Sequence, residues 1–132
     1  MTYKSKSKIL DILDVQLVIF DFDGVFTDNK VMLSENNTEF VNCWRSDGLG
    51  LSRLKSLRIP MKIVSSEKNP VVSKRALKLG IHCIQGVDNK AKELKNICEE
   101  FNISLKNTMF VGNDINDIPA LKLVGFPIAV AD

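Results

Sequence analysis

The chain has 132 residues, of which 45% are hydrophobic and 26% are charged, as is usual for one soluble domain with a single core. Its net charge of +2 is too small to favour nucleic acid or an acidic membrane surface as a partner. No run of residues approaches the roughly 20 apolar residues of a membrane span. Three cysteines without a CxxC pair, and an N-terminus without the apolar core of a secretory signal, favour a cytoplasmic protein. We therefore expect one domain over residues 1–132 that binds a small molecule or another protein.

Short apolar runs alternate with amphipathic segments along the chain. Runs at 17–20, 61–64, 108–111 and 127–130 lack polar alternation, which is typical of strands buried on both faces of a parallel sheet, and 82–84 is a short extra candidate. Helical spacing predicts helices over 48–57, 70–79, 91–101 and 115–124. Asn69 is expected to cap the second helix, with Pro70 as its first residue. This alternation predicts a three-layer, Rossmann-like α/β domain around a central parallel sheet.

Residues 29–47 interrupt the alternation. The segments 31–33 and 40–41, separated by a turn-prone stretch at 34–37, predict a β-hairpin directly after the first strand. Such an insertion would overhang the carboxyl end of that strand, where open α/β sheets bind their ligands. We expect this hairpin to act as a flap.

Two carboxylates, Asp21 and Asp23, follow the first strand directly. On an extended backbone they would lie on the same side of the chain, where their repulsion is relieved by a hard cation such as Mg2+. A carboxylate can also attack phosphorus, while a second carboxyl exchanges protons with the leaving group and water. Alone, the DxDG pattern is a weak signal, since the same residues are common in turns.

Later polar residues at predicted strand ends and helix starts complete a possible phosphate site. Ser65 follows the second strand and could donate a hydrogen bond to a phosphoryl oxygen, and Lys90 at the start of the third helix could neutralise charge. Three oxygen-bearing residues at the next strand end, Asn113, Asp114 and Asp117, add ligands for a metal. Each has an ordinary structural explanation by itself, but together their roles are complementary.

The combined pattern resembles the four motifs of the haloacid dehalogenase (HAD) superfamily of phosphatases, over almost the whole chain. The motifs are Asp21-x-Asp23, Ser65, Lys90 and the acidic loop 112–117. With only a hairpin after the first motif and no cap domain, the chain resembles the capless subclass. That subclass contains phosphatases of 3-deoxy-D-manno-octulosonate 8-phosphate and of nonulosonate (sialic acid) 9-phosphates. Segments 21–28 and 46–50 are similar to its signatures.

The resemblance implies a Mg2+-dependent phosphatase. It implies Asp21 as the nucleophile and a metal ligand, Asp23 as general acid and base and a ligand through its carbonyl, and Ser65 and Lys90 on the phosphate. The 112–117 loop would hold the metal. In the family, the first metal-binding position after Gly112 is usually Asp. It is Asn113 here, so that either Asn113 or Asp114 would act as the metal ligand.

The segment after Ser65 is similar to the sialic-acid branch, in which a Glu, an Arg and a Lys spaced like Glu67, Arg75 and Lys78 contact the sugar acid. A nonulosonate 9-phosphate is therefore the first substrate predicted, and octulosonate 8-phosphate is the alternative. Charged helix faces are also commonly just solvated, which applies to Arg75 and Lys78. The substrate is further predicted to contact Thr27, Asp28 and Ser66.

Other functions stay open at this point. The fold also resembles the non-catalytic, oligomerising phosphatase-like domain of CMP-sialate synthetases, although the retained Asp21, Asp23 and Lys90 favour an enzyme. A phosphate-accepting receiver domain is disfavoured because its acidic pair is usually adjacent. The resemblance also implies a homo-oligomer, a tetramer, with the flap hairpin at its interface.

Overall fold

A computed structural model describes residues 11–131 of the chain. Its seven strands are β1 (Leu17–Phe20), β2 (Met32–Leu33), β3 (Glu39–Phe40), β4 (Met61–Val64), β5 (His82–Ile84), β6 (Thr108–Gly112) and β7 (Phe126–Ala129). Five of them form one parallel sheet in the order β5-β4-β1-β6-β7. The predicted central parallel sheet is confirmed, and 82–84 is its edge strand.

Helices cover both faces of this sheet. They are α1 (Asp47–Ser56), α2 (Val71–Leu79), α3 (Lys90–Phe101) and α4 (Ile118–Leu121). Buried side chains of α1 and α2 pack with Phe22 and Ile63 on one face, whereas those of α3 and α4 pack with Leu17 and Phe110 on the other. The result is the three-layer α/β arrangement expected from sequence, with no cap domain in the described residues.

Strand β1 lies at the centre, between β4 and β6. Phe20, its last residue, is in register with Ile63 of β4 and Val111 of β6. Because all three strands are parallel, the residues that follow them leave the sheet at the same edge. This register brings segments distant in sequence together above β1.

All four helices depart from their predicted bounds, the first and the third by only one residue, and the other two departures have a local cause. The second begins at Val71 rather than at residue 70, with Pro70 at the capping position, while the Asn69 side chain accepts a hydrogen bond from the Val71 amide at 3.1 Å. The predicted helix over 115–124 is a 3-10 turn, Ile115–Asp117, followed by the single helical turn of α4. The carboxylates of Asp114 and Asp117 accept hydrogen bonds from backbone amides at the start of this segment and stabilise the 3-10 turn.

The predicted hairpin is present but short. Strands β2 and β3 pair antiparallel, with Met32 opposite Phe40, and a bridge between Thr27 and Cys43 closes its base. Its apolar side chains at Met32, Leu33 and Phe40 are exposed. Within residues 11–131, no helix has the length and apolar character needed to cross a membrane.

Candidate active site

The centre of the candidate site is a lysine shared by two carboxylates. The Lys90 ammonium lies 2.9 Å from Asp21 Oδ1 and 2.7 Å from Asp117 Oδ1. All three side chains are almost fully enclosed, with exposed fractions of 5%, 6% and 0% for Lys90, Asp21 and Asp117. Asn89 caps α3 by accepting a hydrogen bond from the Lys92 amide, which places Lys90 in the first turn, facing the end of β1. The structure thus brings three of the predicted site residues into direct contact.

Burial and charge change the protonation of both carboxyl groups. Burial raises the pKa of Asp21 from 3.8 to about 6, even though Lys90 acts in the opposite direction. Burial also disfavours ionisation of Asp117, but hydrogen bonds from Lys90 and from the Asn113 amide leave the pKa of Asp117 below its ordinary value. Lys90 therefore offsets only part of the cost of burying the Asp21 carboxylate.

The backbone does not stay extended after Asp21. Val25 and Phe26 amides donate to the Phe22 carbonyl, forming a tight turn, and the fully buried Phe22 ring anchors it in the core. The condition under which Asp21 and Asp23 were expected to lie on one side, an extended backbone, is therefore not met. Instead the turn leaves Asp21 buried and Asp23 half-buried. Burial, followed by the charges of Glu67 and Glu39, raises the pKa of Asp23, as suits a proton donor.

Ser65 lies where β4 ends. It is 1% exposed, and its amide donates to the Ile84 carbonyl on the neighbouring strand at 2.9 Å. Its Oγ accepts a hydrogen bond from the Glu67 amide at 3.1 Å, so the hydroxyl hydrogen is left to donate elsewhere. This arrangement suits a donor to a phosphoryl oxygen.

The acidic loop after β6 is folded around Asp117. Asp117 Oδ2 accepts hydrogen bonds from the amides of Asn113 at 3.0 Å and Asp114 at 3.3 Å. Its Oδ1 accepts a hydrogen bond from the Lys90 ammonium. Because both oxygens are engaged, Asp117 acts in this structure as the residue that shapes the loop. The exposed Asp114 side chain accepts a hydrogen bond from the Ile115 amide, within its own turn, at 2.7 Å.

Asn113 reaches the first motif. Gly24 has a φ of +78°, and a Cβ placed there would collide with Asn113 Nδ2. The amide side chain therefore occupies the space beside Gly24, adjacent to Asp23, where only glycine allows such an approach. Asn113, one of the two residues left open as the metal ligand after Gly112, therefore lies beside the first motif, whereas Asp114 is exposed.

These residues fit Mg2+ by their donor chemistry. The Asp21 carboxylate, the Asp23 carbonyl and the Asn113 amide are hard oxygen donors, and Mg2+ commonly takes one or two carboxylates and keeps several waters. Among residues 11–131, no three His, Cys, Asp or Glu side chains converge as an all-side-chain cluster. A site built from one carboxylate, a backbone carbonyl and an amide is consistent with the lack of such a cluster, because only one of its ligands is an acidic side chain.

A cavity of about 180 Å3 opens beside Asp23, between the hairpin and the loop after β4. Two more acidic residues, Glu39 and Glu67, line it together with one basic residue, Lys30. The remaining lining residues are Asn29, Val31, Val41, Asn69 and Val71. The sequence predicted Glu67 here but not Asn29, Lys30, Glu39 or Asn69. The position of Asn29, Lys30 and Glu39 in or beside the predicted flap, and that of Asn69 in the loop after β4, were the signals that could have identified them.

Other predicted substrate contacts lie elsewhere in the described chain. Buried Thr27 uses its Oγ1 to accept hydrogen bonds from the Gly24 and Asn29 amides, and Asp28 accepts from Asn42 and from the Lys30 amide. Arg75 donates to the Trp44 carbonyl at 2.8 Å, at the exit of the hairpin. None of the residues Thr27, Asp28, Ser66, Arg75 and Lys78 lines the cavity beside Asp23.

Fold and site together define a haloacid dehalogenase-like hydrolase. The model of that family matches residues 74–132. A crystal structure of a Streptomyces avermitilis protein assigned to the HAD family of hydrolases is 44% identical, with a TM-score of 0.88, over 92% of this chain and 70% of that one. The chain belongs to the HAD family, as its motifs predicted.

Among solved relatives is a 3-deoxy-D-manno-octulosonate 8-phosphate phosphatase from Moraxella catarrhalis, determined with magnesium, phosphate and the octulosonate bound. It is 32% identical, with a TM-score of 0.84, over 89% of this chain and 68% of its own. The phosphatase of the same name from Salmonella typhi is 32% identical over 120 residues. The magnesium bound in the Moraxella catarrhalis structure agrees with the predicted Mg2+, the cofactor of HAD phosphatases.

The alignment with the Salmonella typhi phosphatase covers 90% of this chain and 64% of that protein. The chain thus spans slightly less than two thirds of the length of that phosphatase.

Proposed function

We propose that the chain is a Mg2+-dependent phosphomonoesterase that hydrolyses a sugar-acid phosphate through an aspartyl-phosphate on Asp21. The observation that carries the proposal is the buried Asp21–Lys90–Asp117 contact next to a half-buried Asp23. Asp23 in turn opens into a separate cavity. This arrangement provides a charged subsite for the phosphoryl group at Asp21 and Lys90, and a separate subsite for the leaving group in the cavity beside Asp23.

In the first step, Asp21 attacks phosphorus. Its Oδ1 already accepts hydrogen bonds from the Phe22 amide at 2.7 Å and from Lys90, which leaves Oδ2 to form the new P–O bond. Lys90 and the Ser65 hydroxyl hold the phosphoryl oxygens. As the bond between phosphorus and the sugar oxygen breaks, Asp23 donates its proton to that oxygen.

In the second step, water attacks the phosphorus of the aspartyl-phosphate. Asp23, now ionised, removes a proton from that water, and phosphate leaves as the Asp21 carboxylate is restored. Asp21, the Asp23 carbonyl and Asn113 would hold Mg2+, which would supply charge neutralisation to the phosphoryl group. Asp117 keeps Lys90 and the Asn113 backbone in place.

Octulosonate 8-phosphate is our first candidate substrate, in place of the nonulosonate 9-phosphate preferred from sequence. Relatives named as octulosonate phosphatases support this choice. Glu67, the sequence feature that favoured the sialic-acid branch, lines the cavity and keeps nonulosonate 9-phosphates as the second candidate. Arg75 and Lys78 give no such support, since neither reaches this cavity.

The test is phosphate release from a panel containing octulosonate 8-phosphate, two nonulosonate 9-phosphates and 4-nitrophenyl phosphate, with Mg2+ and with EDTA. We expect Mg2+-dependent turnover that is fastest with octulosonate 8-phosphate and absent in Asp21→Asn. Negligible turnover of every member with Mg2+ present would instead favour the non-catalytic domain.

We also propose that the protein assembles as a homo-oligomer, a tetramer, through the hairpin. The side chains of Met32, Leu33 and Phe40 are apolar and exposed, as is Trp44 nearby. Exposed apolar patches commonly mark interfaces, which supports burial of this surface between subunits. Light scattering after size exclusion gives the mass directly. A monomer at micromolar concentration would refute this part of the proposal.

A further inference from the structure

The loop between β4 and α2 forms one wall of the cavity beside Asp23. Residues 65–70 belong to neither a helix nor a strand, and two of them, Glu67 and Asn69, line that cavity. The same loop begins with Ser65, which donates to the phosphoryl group in the proposed mechanism. A loop without regular backbone hydrogen bonds keeps one conformation only if other groups hold it. The positions of Glu67 and Asn69 therefore depend on contacts from a neighbouring segment.

The segment after β5 supplies these contacts. Because β4 and β5 are parallel neighbours, the residues that follow them leave the sheet side by side. The Val87 amide donates to the Ser65 carbonyl at 3.0 Å, and the Gly86 amide donates to the Glu67 carbonyl at 3.1 Å. These two backbone hydrogen bonds hold the first half of the loop.

Gln85, the residue directly after β5, holds the second half with its side chain. Its Nε2 donates to the Glu67 carbonyl at 3.2 Å and to the Asn69 carbonyl at 3.1 Å. A primary amide carries two N–H groups, one for each carbonyl. Since carbonyl oxygens only accept, the nitrogen of the Gln85 amide and not its oxygen must face them. Gln85 thus ties two residues of the cavity wall to the end of the neighbouring strand.

The Glu67 carboxylate depends on the same loop conformation. Its Oε1 accepts hydrogen bonds from the Lys68 amide at 2.9 Å and the Asn69 amide at 3.0 Å. Among residues 11–131 no group donates to Oε2, so this oxygen can accept a hydrogen bond from a hydroxyl group. The Asn69 side chain accepts from the Val71 amide, so that fixing Asn69 also fixes the start of α2.

We propose that Gln85 is a positioning residue that holds Glu67 and Asn69 in the cavity wall and so favours leaving groups that carry hydroxyls. The proposal rests on the proposed phosphatase function, because the role of Asp23 assigns this cavity to the leaving group. Gln85 does not line the cavity and acts only through the loop.

Three variants test the proposal. Gln85→Met removes both N–H groups with little change in side-chain length. Gln85→Glu keeps the shape but turns a carboxylate oxygen toward two carbonyls, so it would be tolerated if Gln85 only filled space. Gln16→Met is the matched control, the same substitution at an exposed glutamine directly before β1.

The first measurement compares KM and kcat for octulosonate 8-phosphate and 4-nitrophenyl phosphate. Gln85→Met should raise KM for the sugar phosphate fivefold or more with kcat changed less than threefold, since Asp21 and Lys90 stay in place. Gln85→Glu should lose at least as much, and Gln16→Met should match the parent. With 4-nitrophenyl phosphate, whose leaving group has no further hydroxyl, KM should change less than twofold.

Three kinetic results would overturn the role of Gln85 while leaving the phosphatase proposal intact. They are an unchanged KM for the sugar phosphate in Gln85→Met, a Gln85→Glu protein that behaves as the parent, and an equal loss on both substrates.

Hydrogen exchange followed by mass spectrometry separates the two proposals, because it needs no substrate. The amides of Glu67, Lys68 and Asn69 are hydrogen-bonded within the loop, so they exchange when the loop opens. Loss of two neutral hydrogen bonds should speed their exchange roughly tenfold or more in Gln85→Met, while β1 exchanges as in the parent. Unchanged exchange of this loop would overturn the role of Gln85 even in an active enzyme. Faster exchange in a protein that hydrolyses nothing would support that role, and only the phosphatase proposal would fail.

Discussion

Replacing the nucleophile should make the metal-free protein more stable while abolishing its activity. Asp21 is buried beside a single lysine, and its pKa is raised from 3.8 to about 6. A carboxyl with a raised pKa in the fold costs stability at neutral pH, where it must be ionised. Asp21→Asn removes that charge and keeps an oxygen that can accept hydrogen bonds from Phe22 and Lys90.

The magnitude follows from the difference in pKa. At about 1.4 kcal/mol for each pKa unit, a value of about 6 in the fold against 3.8 in the unfolded chain corresponds to about 3 kcal/mol. We expect the variant to gain roughly 2–3 kcal/mol at pH 7.5, which raises Tm by roughly 5–10 °C in a chain of this size. Lys90 retains Asp117 at 2.7 Å, so the variant leaves it paired.

The raised pKa of Asp21 determines how the stability difference between variant and parent changes with pH. Below about pH 4 the Asp21 carboxyl is protonated in both states, so variant and parent should differ little. As pH rises from about 4 to 6 the fold holds a proton that the unfolded chain has released, and the stability of the parent falls relative to the variant. Above about pH 6 the difference stays constant. The lowered pKa of Asp117 acts in the opposite direction at more acidic pH.

The assay is urea and thermal unfolding from pH 4 to 8 in EDTA, with Asp14→Asn, at an exposed carboxyl, as the matched control. Asp14→Asn should change the free energy of unfolding by less than about 0.5 kcal/mol. A destabilised Asp21→Asn protein, or a gain that does not depend on pH, would refute the reasoning about burial and charge.

Three further outcomes are expected. Lys90→Met should lose activity and about 3–5 kcal/mol of stability in urea unfolding, because two buried carboxylates lose their cation; a loss under 1 kcal/mol would contradict it. Gly24→Ala should displace Asn113 and weaken Mg2+ binding in calorimetry at least tenfold. The control Gly50→Ala, whose Cβ has open space in α1, should keep the parent's affinity and gain up to about 1 kcal/mol; equal affinities for both variants would refute the Gly24 contact. EDTA should abolish phosphate release and added Mg2+ should restore it, whereas activity that persists after dialysis against EDTA would contradict a metal-dependent step.

Much of the fold could be predicted because its signals are local. The β1 strand is a short, uninterrupted apolar run, and the parallel neighbours β4 and β6 have the same character. The helix predicted at 115–124 was wrong over its first turn, since Asp114 and Asp117 bond the local backbone and favour a tighter turn. Helical periodicity contains no information about such side-chain competition.

The site was predictable only in part, for a geometric reason. Strand ends meet at one edge of a parallel sheet, so Asp21 and Lys90 could be brought together from their positions in sequence, as the structure shows. Contacts made by turns could not be predicted in this way. The reversal at Phe22 and the contact between Gly24 and Asn113 depend on tertiary packing. So does the presence of Lys30 in the cavity wall, since it depends on how the hairpin lies over β1.

The central claim is that Asp21 carries the phosphoryl group between the two half-reactions. Rapid acid quench during turnover of octulosonate 8-phosphate with Mg2+, followed by peptide mass spectrometry, tests it directly. The proposed mechanism predicts a hydroxylamine-sensitive phosphoryl group on the peptide containing Asp21 in the parent and none in Asp21→Asn. Phosphate release without any phosphorylated peptide in the first turnover, or a phosphoryl group on another residue, would contradict it.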